Sequence, residues 1–202
     1  MDRIITIGRE FGSGGREFGK RLAELLHVAY YDNEIITGIA KNTKLAEGYV
    51  NQIVENHIVS YYPITVGNSF YPMMDPQWMI NNTIFAEQSK IITDMAKKSP
   101  CVIVGRCSDY VLKDFSPFNI FIYADMPSKI ERCRKKAHEG EPLTDKARQQ
   151  QIQSVDRGRV KYYQFFTGRK WGDRLNYDLC INTTKTEIKK VAAAVAHMLE
   201  SE

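Results

Sequence analysis

A glycine-rich turn close to the start of the chain limits what this sequence can fold into. Residues 4–7 form an apolar, β-branched run, which predicts a short buried strand ending at Gly8. The turn Gly12-Ser13-Gly14-Gly15 comes next. Apolar residues then recur at helical spacing, at Phe18, Leu22, Leu25 and Leu26. A strand, a glycine turn and a helix in that order predict the start of a β-α-β unit.

The same alternation continues to the end of the chain. Further strands are predicted at residues 28–31, 101–104, 118–123 and 177–181. Helical segments are predicted at residues 33–98, from 127, at 144–166 and at 187–199, with a proline-, glycine- and aromatic-rich interruption at 61–76. Strands that alternate with helices predict a parallel β-sheet flanked by helices on both faces, a three-layer α/β sandwich. With 202 residues, 43% of them apolar, we expect a single domain over residues 1–202.

A glycine loop between a strand and a helix is typical of phosphate-binding sites, although a tight turn would use the same residues. The backbone N–H groups of such a loop point at the anion, and the next helix N-terminus adds positive potential. The common motif G-x-x-x-x-G-K-[ST] is not met, because its lysine position falls on Gly15 and its hydroxyl position on Arg16 or Glu17. We expect nucleotide phosphates to bind at Gly12, Ser13, Gly14, Gly15, Arg16 and Glu17.

The charge of the missing lysine has three candidate sources nearby, Arg16, Lys20 and Arg9. Arginine suits bidentate contacts with phosphate oxygens. Ser13 offers a hydroxyl for a metal ion only from another place in the loop.

The segment 4–19, with its lysine-less loop, resembles the opening of the cytidylate kinase-like family, which shares this departure from the common motif. The similarity is strongest at residues 4–36, 101–112 and 156–182 and weakest at 43–80. The resemblance implies a P-loop NTP hydrolase fold of the nucleoside-monophosphate kinase type. It also implies ATP-dependent phosphoryl transfer, with Mg²⁺, to a small nucleotide substrate, most simply CMP or dCMP.

The resemblance assigns acceptor binding to residues 33–98 and to the ends of two strands. Asp32 is in the place of an aspartate that holds the nucleoside, although it also suits a helix N-cap. Arg106, after Gly105, is similar to an arginine that contacts the acceptor phosphate, and its alternative is a structural ion pair with Asp109. We expect Asp109 to belong to this acceptor site, and Gln88 to contact a base or sugar edge.

A basic segment at 129–170 holds twelve basic and five acidic residues and resembles the lid of small kinases. A solvated basic face is the alternative. Charge on the transferring phosphoryl group calls for fixed cations, and the candidates are Arg16, Arg132, Arg157 and Arg159. Arg157 and Arg159 point in different directions on one helix, so both can contact one site only if they bridge donor and acceptor phosphates or if the helix is interrupted at Gly158. Tyr162, Tyr163 and Trp171 are interpreted mainly as packing residues.

Several classes of protein are disfavoured. The four cysteines form no C-x-x-C pair and the histidines no ligand spacing, so we expect no structural metal. The sequence contains no apolar run long enough to predict a membrane span or a secretory signal, so we expect a cytoplasmic protein. The net charge of +4 accompanies no recognised nucleic-acid-binding module. A kinase for another acceptor and a nucleotide-binding sensor without turnover remain alternatives, and a homo-oligomer is left open.

Overall fold

A computed structural model describes residues 3–56, 76–136 and 144–201. The strands in these ranges are β1 (Ile4–Arg9), β2 (Ala29–Tyr31), β3 (Cys101–Val104), β4 (Phe118–Tyr123) and β5 (Leu179–Asn182). The helices are α1 (Gly15–Leu26), α2 (Asn33–Thr43), α3 (Glu47–Asn56), α4 (Pro76–Lys98), α5 (Ser108–Val111), α6 (Met126–Lys136), α7 (Asp145–Thr167) and α8 (Ile188–Glu200). Short 3-10 turns at Lys113–Phe115 and Arg174–Asn176 precede β4 and β5.

The five strands form one parallel sheet in the order β2-β3-β1-β4-β5, which confirms the predicted architecture. In the middle of the sheet, Ile7 of β1 is level with Val104 of β3 and with Ile120 of β4. The chain adds β2 and β3 on one side of β1, then β4 and β5 on the other. Ligands of open parallel sheets bind at the carboxyl ends of the strands where the winding changes side. The loop after β1 lies at that point.

Strand β3 illustrates how helices cover both faces of the sheet. Val102 and Val104 pack in a core with α1 and α8, whereas Cys101 and Ile103 pack in a core with α2, α3 and α4. All four side chains are buried, as expected of an inner strand in a parallel sheet. The two cores make the predicted three layers.

The observed elements differ from the predicted ones mainly at their ends. The segment predicted as helical at 33–98 consists of α2, α3 and α4 where it is described. Residues 57–75 lie outside the described residues, so of the interruption predicted at 61–76 only Pro76 is described. Helix α7, capped by the Thr144 hydroxyl on the Ala147 N–H at 3.2 Å, runs through Gly158 without a break. Within the described ranges, no helix has the length and apolar character that a membrane span requires.

Candidate functional site

The loop between β1 and α1 is fixed by left-handed glycines and by its own hydrogen bonds. Gly12 and Gly14 have φ angles of 76° and 86°, a region that favours glycine. The Ser13 hydroxyl donates a 2.8 Å hydrogen bond to the carbonyl oxygen of Glu10, so this hydroxyl is engaged within the loop. Helix α1 begins at Gly15, and its first residues line a cavity.

This cavity, called the loop cavity here, has a volume of about 290 Å³ and lies between the loop and the helices α6 and α7. Six basic side chains line it: Arg9, Arg16, Arg132, Lys136, Arg148 and Arg159. Among the described residues that line it, Glu10 is the one acidic side chain. A glycine loop at a helix N-terminus, surrounded by this excess of positive charge, favours the binding of a polyanion.

A buried lysine of α6 fastens the loop to the two helices that cover it. Lys129 Nζ lies 2.6 Å from Glu10 Oε2 and 3.2 Å from Asp156 Oδ2. The Asp156 Oδ1 atom accepts a 2.7 Å hydrogen bond from the backbone N–H of Phe11. Burial raises the pKa of Asp156, and the Phe11 N–H and Lys129 oppose that rise. The loop conformation therefore depends on α7, 145 positions further along the chain.

Arg132 of α6 connects the same loop to the residues after β5. Its guanidinium donates to the Ser13 carbonyl oxygen at 3.4 Å and also to the Thr183 carbonyl oxygen. The Thr183 hydroxyl in turn donates to the Ser13 carbonyl oxygen at 2.7 Å. Arg132 thus lines the loop cavity with its position set by two backbone carbonyl groups.

Asp32, at the end of β2, holds two arginines of the loop region. Its Oδ2 atom lies 2.7 Å from Arg16 Nε, and its Oδ1 atom lies 3.8 Å from Arg9 Nη2. Asp32 stands at the N-cap position of α2, but its carboxylate is directed toward these arginines. Arg159 Nη1 donates to the carbonyl oxygen of Arg9 at 3.1 Å, so α7 also contacts the end of β1.

A second cavity of about 40 Å³, called the inner cavity here, shares Arg9 and Arg159 with the loop cavity. Arg106 and Asp109 contribute its other charged side chains. Four aromatic side chains also line it, those of Tyr162, Tyr163, Trp171 and Tyr177. The two cavities therefore meet at a pair of arginines.

The backbone that carries Arg106 is in an uncommon conformation. Gly105, Arg106 and Cys107 have consecutive left-handed φ angles of 74°, 62° and 53°. Non-glycine residues in this region are strained and persist where their surroundings hold them. Gln88 of α4, which is fully buried, donates from Nε2 to the Arg106 carbonyl oxygen at 2.8 Å. The Tyr162 hydroxyl donates to Gln88 Oε1 at 3.3 Å, so α7 supports the strained turn through Gln88.

Asp109 is held by the neighbouring tyrosine of α7. The Tyr163 hydroxyl donates a 2.6 Å hydrogen bond to Asp109 Oδ2. Burial raises the pKa of Asp109, while the bond from Tyr163 and the charge of Arg169 oppose the rise. Tyr162 and Tyr163 thus position polar groups of the inner cavity in addition to packing, which the sequence interpretation missed.

Most of the residues expected to act together lie together. Gly12, Gly14, Gly15, Arg16, Arg132 and Arg159 line the loop cavity, and Arg106 and Asp109 line the inner cavity. Asp32 contacts Arg9, which both cavities share, and Arg16 of the loop cavity. Ser13 is buried, and its carbonyl group holds Arg132 and Thr183.

Three expected residues lie elsewhere. Because α7 is continuous, Arg159 turns toward the cavities while Arg157 is exposed and outside the described lining of both. Glu17 pairs with Arg21 one turn along α1 at 3.0 Å. Gln88 has both ends of its amide engaged, one with the carbonyl oxygen of Arg106 and the other with the Tyr162 hydroxyl.

Sequence reasoning missed the roles of Glu10 and Lys129 and counted Lys129 only as the start of the basic segment. Their separation of 119 positions gives no local signal. Burial of a lysine on α6, whose exposed face is basic, follows only from the position of the loop beneath it.

Comparison with known proteins places this chain in a family. The sequence profile of the cytidylate kinase-like family matches residues 4–185, most of the chain. The chain belongs to the cytidylate kinase-like family. Among curated proteins, no match was found. The family and the fold together indicate a nucleotide-dependent kinase, a phosphotransferase.

Solved structures similar to this cytidylate kinase-like chain agree on the fold. An uncharacterized protein from Eubacterium ventriosum ATCC 27560 is 26% identical, with a TM-score of 0.71 and 99% of each chain covered. Shikimate kinase from Bacteroides thetaiotaomicron is 13% identical, with a TM-score of 0.58 and 98% of each chain covered. Shikimate kinase from Acinetobacter baumannii, in complex with shikimate, is 13% identical, with a TM-score of 0.54, covering 99% of this chain and 95% of that one.

Proposed function

We propose that this protein transfers the γ-phosphoryl group of ATP to a small anionic acceptor, most simply CMP or dCMP. The observation that carries the proposal is the meeting of two cavities at Arg9 and Arg159. One cavity has the glycine loop and the excess of cations that a triphosphate needs, and the other has Arg106. A transferring group would pass between them, at the two shared arginines.

The ATP phosphates would lie in the loop cavity, along residues 12–16 and at the N-terminus of α1. Backbone N–H groups there would contact the phosphate oxygens, while Arg16 and Arg132 neutralise their charge. Arg132 is suited to this because carbonyl groups of the loop and of Thr183 already hold it. A guanidinium that is fixed before the ligand arrives loses little freedom on binding.

The site also fits Mg²⁺. In kinase sites this ion is held by one or two carboxylates together with phosphates and waters. Glu10 lines the loop cavity, whereas Asp156 is outside its described lining and has both oxygens engaged, by Lys129 and by the Phe11 N–H. Glu10 would therefore be the carboxylate that holds the ion, together with phosphate oxygens and waters, and the bound ion would neutralise charge on the β- and γ-phosphates. The Ser13 hydroxyl, engaged with Glu10, is poorly placed for that role.

Arg159 and Arg9 would hold the phosphoryl oxygens in line between donor and acceptor. Phosphoryl transfer requires little covalent chemistry from the protein, so positioning and fixed positive charge supply most of the rate. Both guanidiniums are buried or nearly so, which strengthens their electrostatic effect by excluding water. A phosphate acceptor is already ionised, so no general base is needed.

Arg106 would bind the anionic group of the acceptor, and Asp109 in the same cavity would accept a hydrogen bond from an acceptor hydroxyl group. Asp32, whose carboxylate faces Arg16 and Arg9, would act through these arginines. The inner cavity volume of about 40 Å³ is well below the roughly 300 Å³ of ordinary ligand sites. A nucleotide would therefore require α7 to move outward. A second candidate is a small hydroxylated carboxylate of the shikimate type, for which α7 would have to move less and the same arginines would bind the carboxylate.

The test is ADP release by the purified protein with ATP and Mg²⁺ against a panel of nucleoside monophosphates and shikimate. Release that depends on CMP or dCMP supports the leading proposal, and release with shikimate alone supports the second candidate. ATP binding by calorimetry without acceptor-dependent ADP release would contradict both and indicate a nucleotide sensor.

A further inference from the structure

The space in which the common P-loop lysine begins is filled by the side chain of Arg9. A Cβ built on Gly15 would overlap the Cβ of Arg9 and would lie 2.9 Å from its Cγ. Gly15 is outside the left-handed region that Gly12 and Gly14 occupy, so the backbone itself would accept a side chain. Glycine is therefore required at position 15 to make room for Arg9.

The far end of Arg9 is accommodated by a second glycine. A Cβ built on Gly105 would overlap Arg9 Nη1 and would lie 2.7 Å from its Cζ. The Arg9 side chain thus runs from the glycine loop to the turn that carries Arg106, and it is only 6% exposed. Two glycines from separate parts of the chain, one at each end, enclose the same arginine.

The Arg9 guanidinium lies where it could supply the positive charge of the missing P-loop lysine. Arg9 lines the loop cavity, where phosphates would bind, and the inner cavity, where the acceptor would bind. Asp32 Oδ1 lies 3.8 Å from its Nη2, and Arg159 donates to its carbonyl oxygen. The other candidates differ: Arg16 is half exposed, with its Nε on Asp32, and Lys20 is exposed.

We propose that Arg9 replaces the P-loop lysine, so that the fixed charge comes from the strand before the loop instead of the helix after it. This rests on the proposed function, because it assigns Arg9 to the terminal phosphates of ATP. An arginine keeps its charge when buried and presents a planar fork of donors. It can thus contact a γ-phosphate oxygen and an acceptor oxygen at once, which a lysine ammonium does less readily.

The experiment compares Arg9→Met, which keeps the apolar stem without the charge, with Lys20→Met. We expect Arg9→Met to lower kcat by about 100-fold or more, as for the loss of a fixed donor to a transition state. Calorimetry should show weaker binding of ATP with AMP binding unchanged, since only the terminal phosphates lose a contact. Lys20→Met should behave as the wild type. A larger loss from Lys20→Met, or equal weakening of ATP and AMP in Arg9→Met, would overturn the proposal.

A double variant that compensates for the lost arginine separates a specific loss of ATP binding from a general loss of folding. Gly15→Lys alone should impair folding or ATP binding, because the new side chain overlaps Arg9. Arg9→Gly with Gly15→Lys removes the overlap, because glycine lacks the Cβ that Gly15→Lys would meet, and it restores a lysine at the common position. We expect this double variant to bind ATP at least about tenfold more tightly than Arg9→Gly alone, a difference of about 1.4 kcal/mol. A folded double variant without that recovery would overturn the proposal.

The binding measurements separate this inference from the proposed reaction. If the wild type binds ATP but phosphorylates no acceptor, the proposed function fails. The ATP-against-AMP comparison and the double variant still decide whether Arg9 serves the terminal phosphates.

Discussion

The loop cavity and the inner cavity are lined by different kinds of residues. The loop cavity, of about 290 Å³, combines a glycine backbone with six basic side chains from three parts of the chain. The inner cavity, of about 40 Å³, is lined by aromatic residues. Its polar groups are held by hydrogen bonds, from Gln88 to the Arg106 carbonyl oxygen and from Tyr163 to Asp109, and Tyr162 in turn donates to Gln88. A site that binds a polyanion needs positive charge and volume, whereas a site that binds a small acceptor needs polar groups held in fixed orientations.

The difference extends to the backbone. The loop relies on glycines at its left-handed positions, where the conformation costs little. The inner cavity instead places Arg106 and Cys107 in that region, at a cost of order 1–3 kcal/mol each. Hydrogen bonds from α4 and α7 offset this cost. Helix α7 contacts both cavities, through Asp156 and Arg159 at the loop and through its tyrosines at the inner cavity.

The largest effect should come from the arginine shared by the two cavities. We expect Arg159→Ala to lower kcat by about 1000-fold, as for loss of an arginine that stabilises a phosphoryl transition state. Arg157→Ala should cost only a small part of that, because Arg157 is exposed. Steady-state kinetics would check both, with Lys161→Ala on the exposed face of α7 as the control. Equal losses from the two arginines would mean that α7 moves or rotates during catalysis.

Arg106→Ala should separate the two cavities kinetically. We expect the KM of the acceptor to rise about 30-fold and turnover to fall, because a charge-assisted contact is lost, while the KM of ATP stays the same. Initial-rate measurements with each substrate varied in turn would show this. Unchanged acceptor kinetics would remove Arg106 from the acceptor site.

The support that Gln88 and Tyr162 give to the strained turn at Arg106 should be measurable as an energetic coupling between these two side chains. Gln88→Leu leaves the Arg106 carbonyl group without its bond from Nε2, so we expect a loss of about 2 kcal/mol of stability and a higher acceptor KM. Tyr162→Phe should cost about 1 kcal/mol. Because the two share one hydrogen bond, the double variant should lose less than the sum in urea unfolding. Additive losses would show that Tyr162 supports the fold separately from Gln88.

The smallest effect concerns pH and Asp109. Its pKa is raised by burial, so the folded protein binds this proton more tightly than the unfolded chain does. The stability that this carboxyl contributes is present below its unfolded pKa of about 3.9 and is lost as the pH rises through the folded pKa. Asp109→Asn, which still offers an oxygen to Tyr163, should therefore gain stability relative to wild type as the pH rises from 4 toward neutrality. Thermal unfolding across that range would check it, and an opposite slope would contradict it.

The alternation of elements and the position of the loop cavity were predictable from the sequence because their signals are local. The run at 4–7, the glycines at 12–15 and the helical spacing after them are contiguous, and so is the Gly105-Arg106 step after β3. Family resemblance rests on the same contiguous segments. The parallel sheet then follows from general rules of packing and connection.

The partners of each side chain were not predictable in this way. Which of Arg157 and Arg159 faces the cavities depends on the rotation of α7 about its axis against the sheet. The contacts of Glu10 and Asp156 with Lys129 join residues from three distant segments. The sequence alone showed that a lysine is missing at position 15. Only the tertiary structure decided that Arg9 fills its space, since overlap between side chains exists only once the chain is folded.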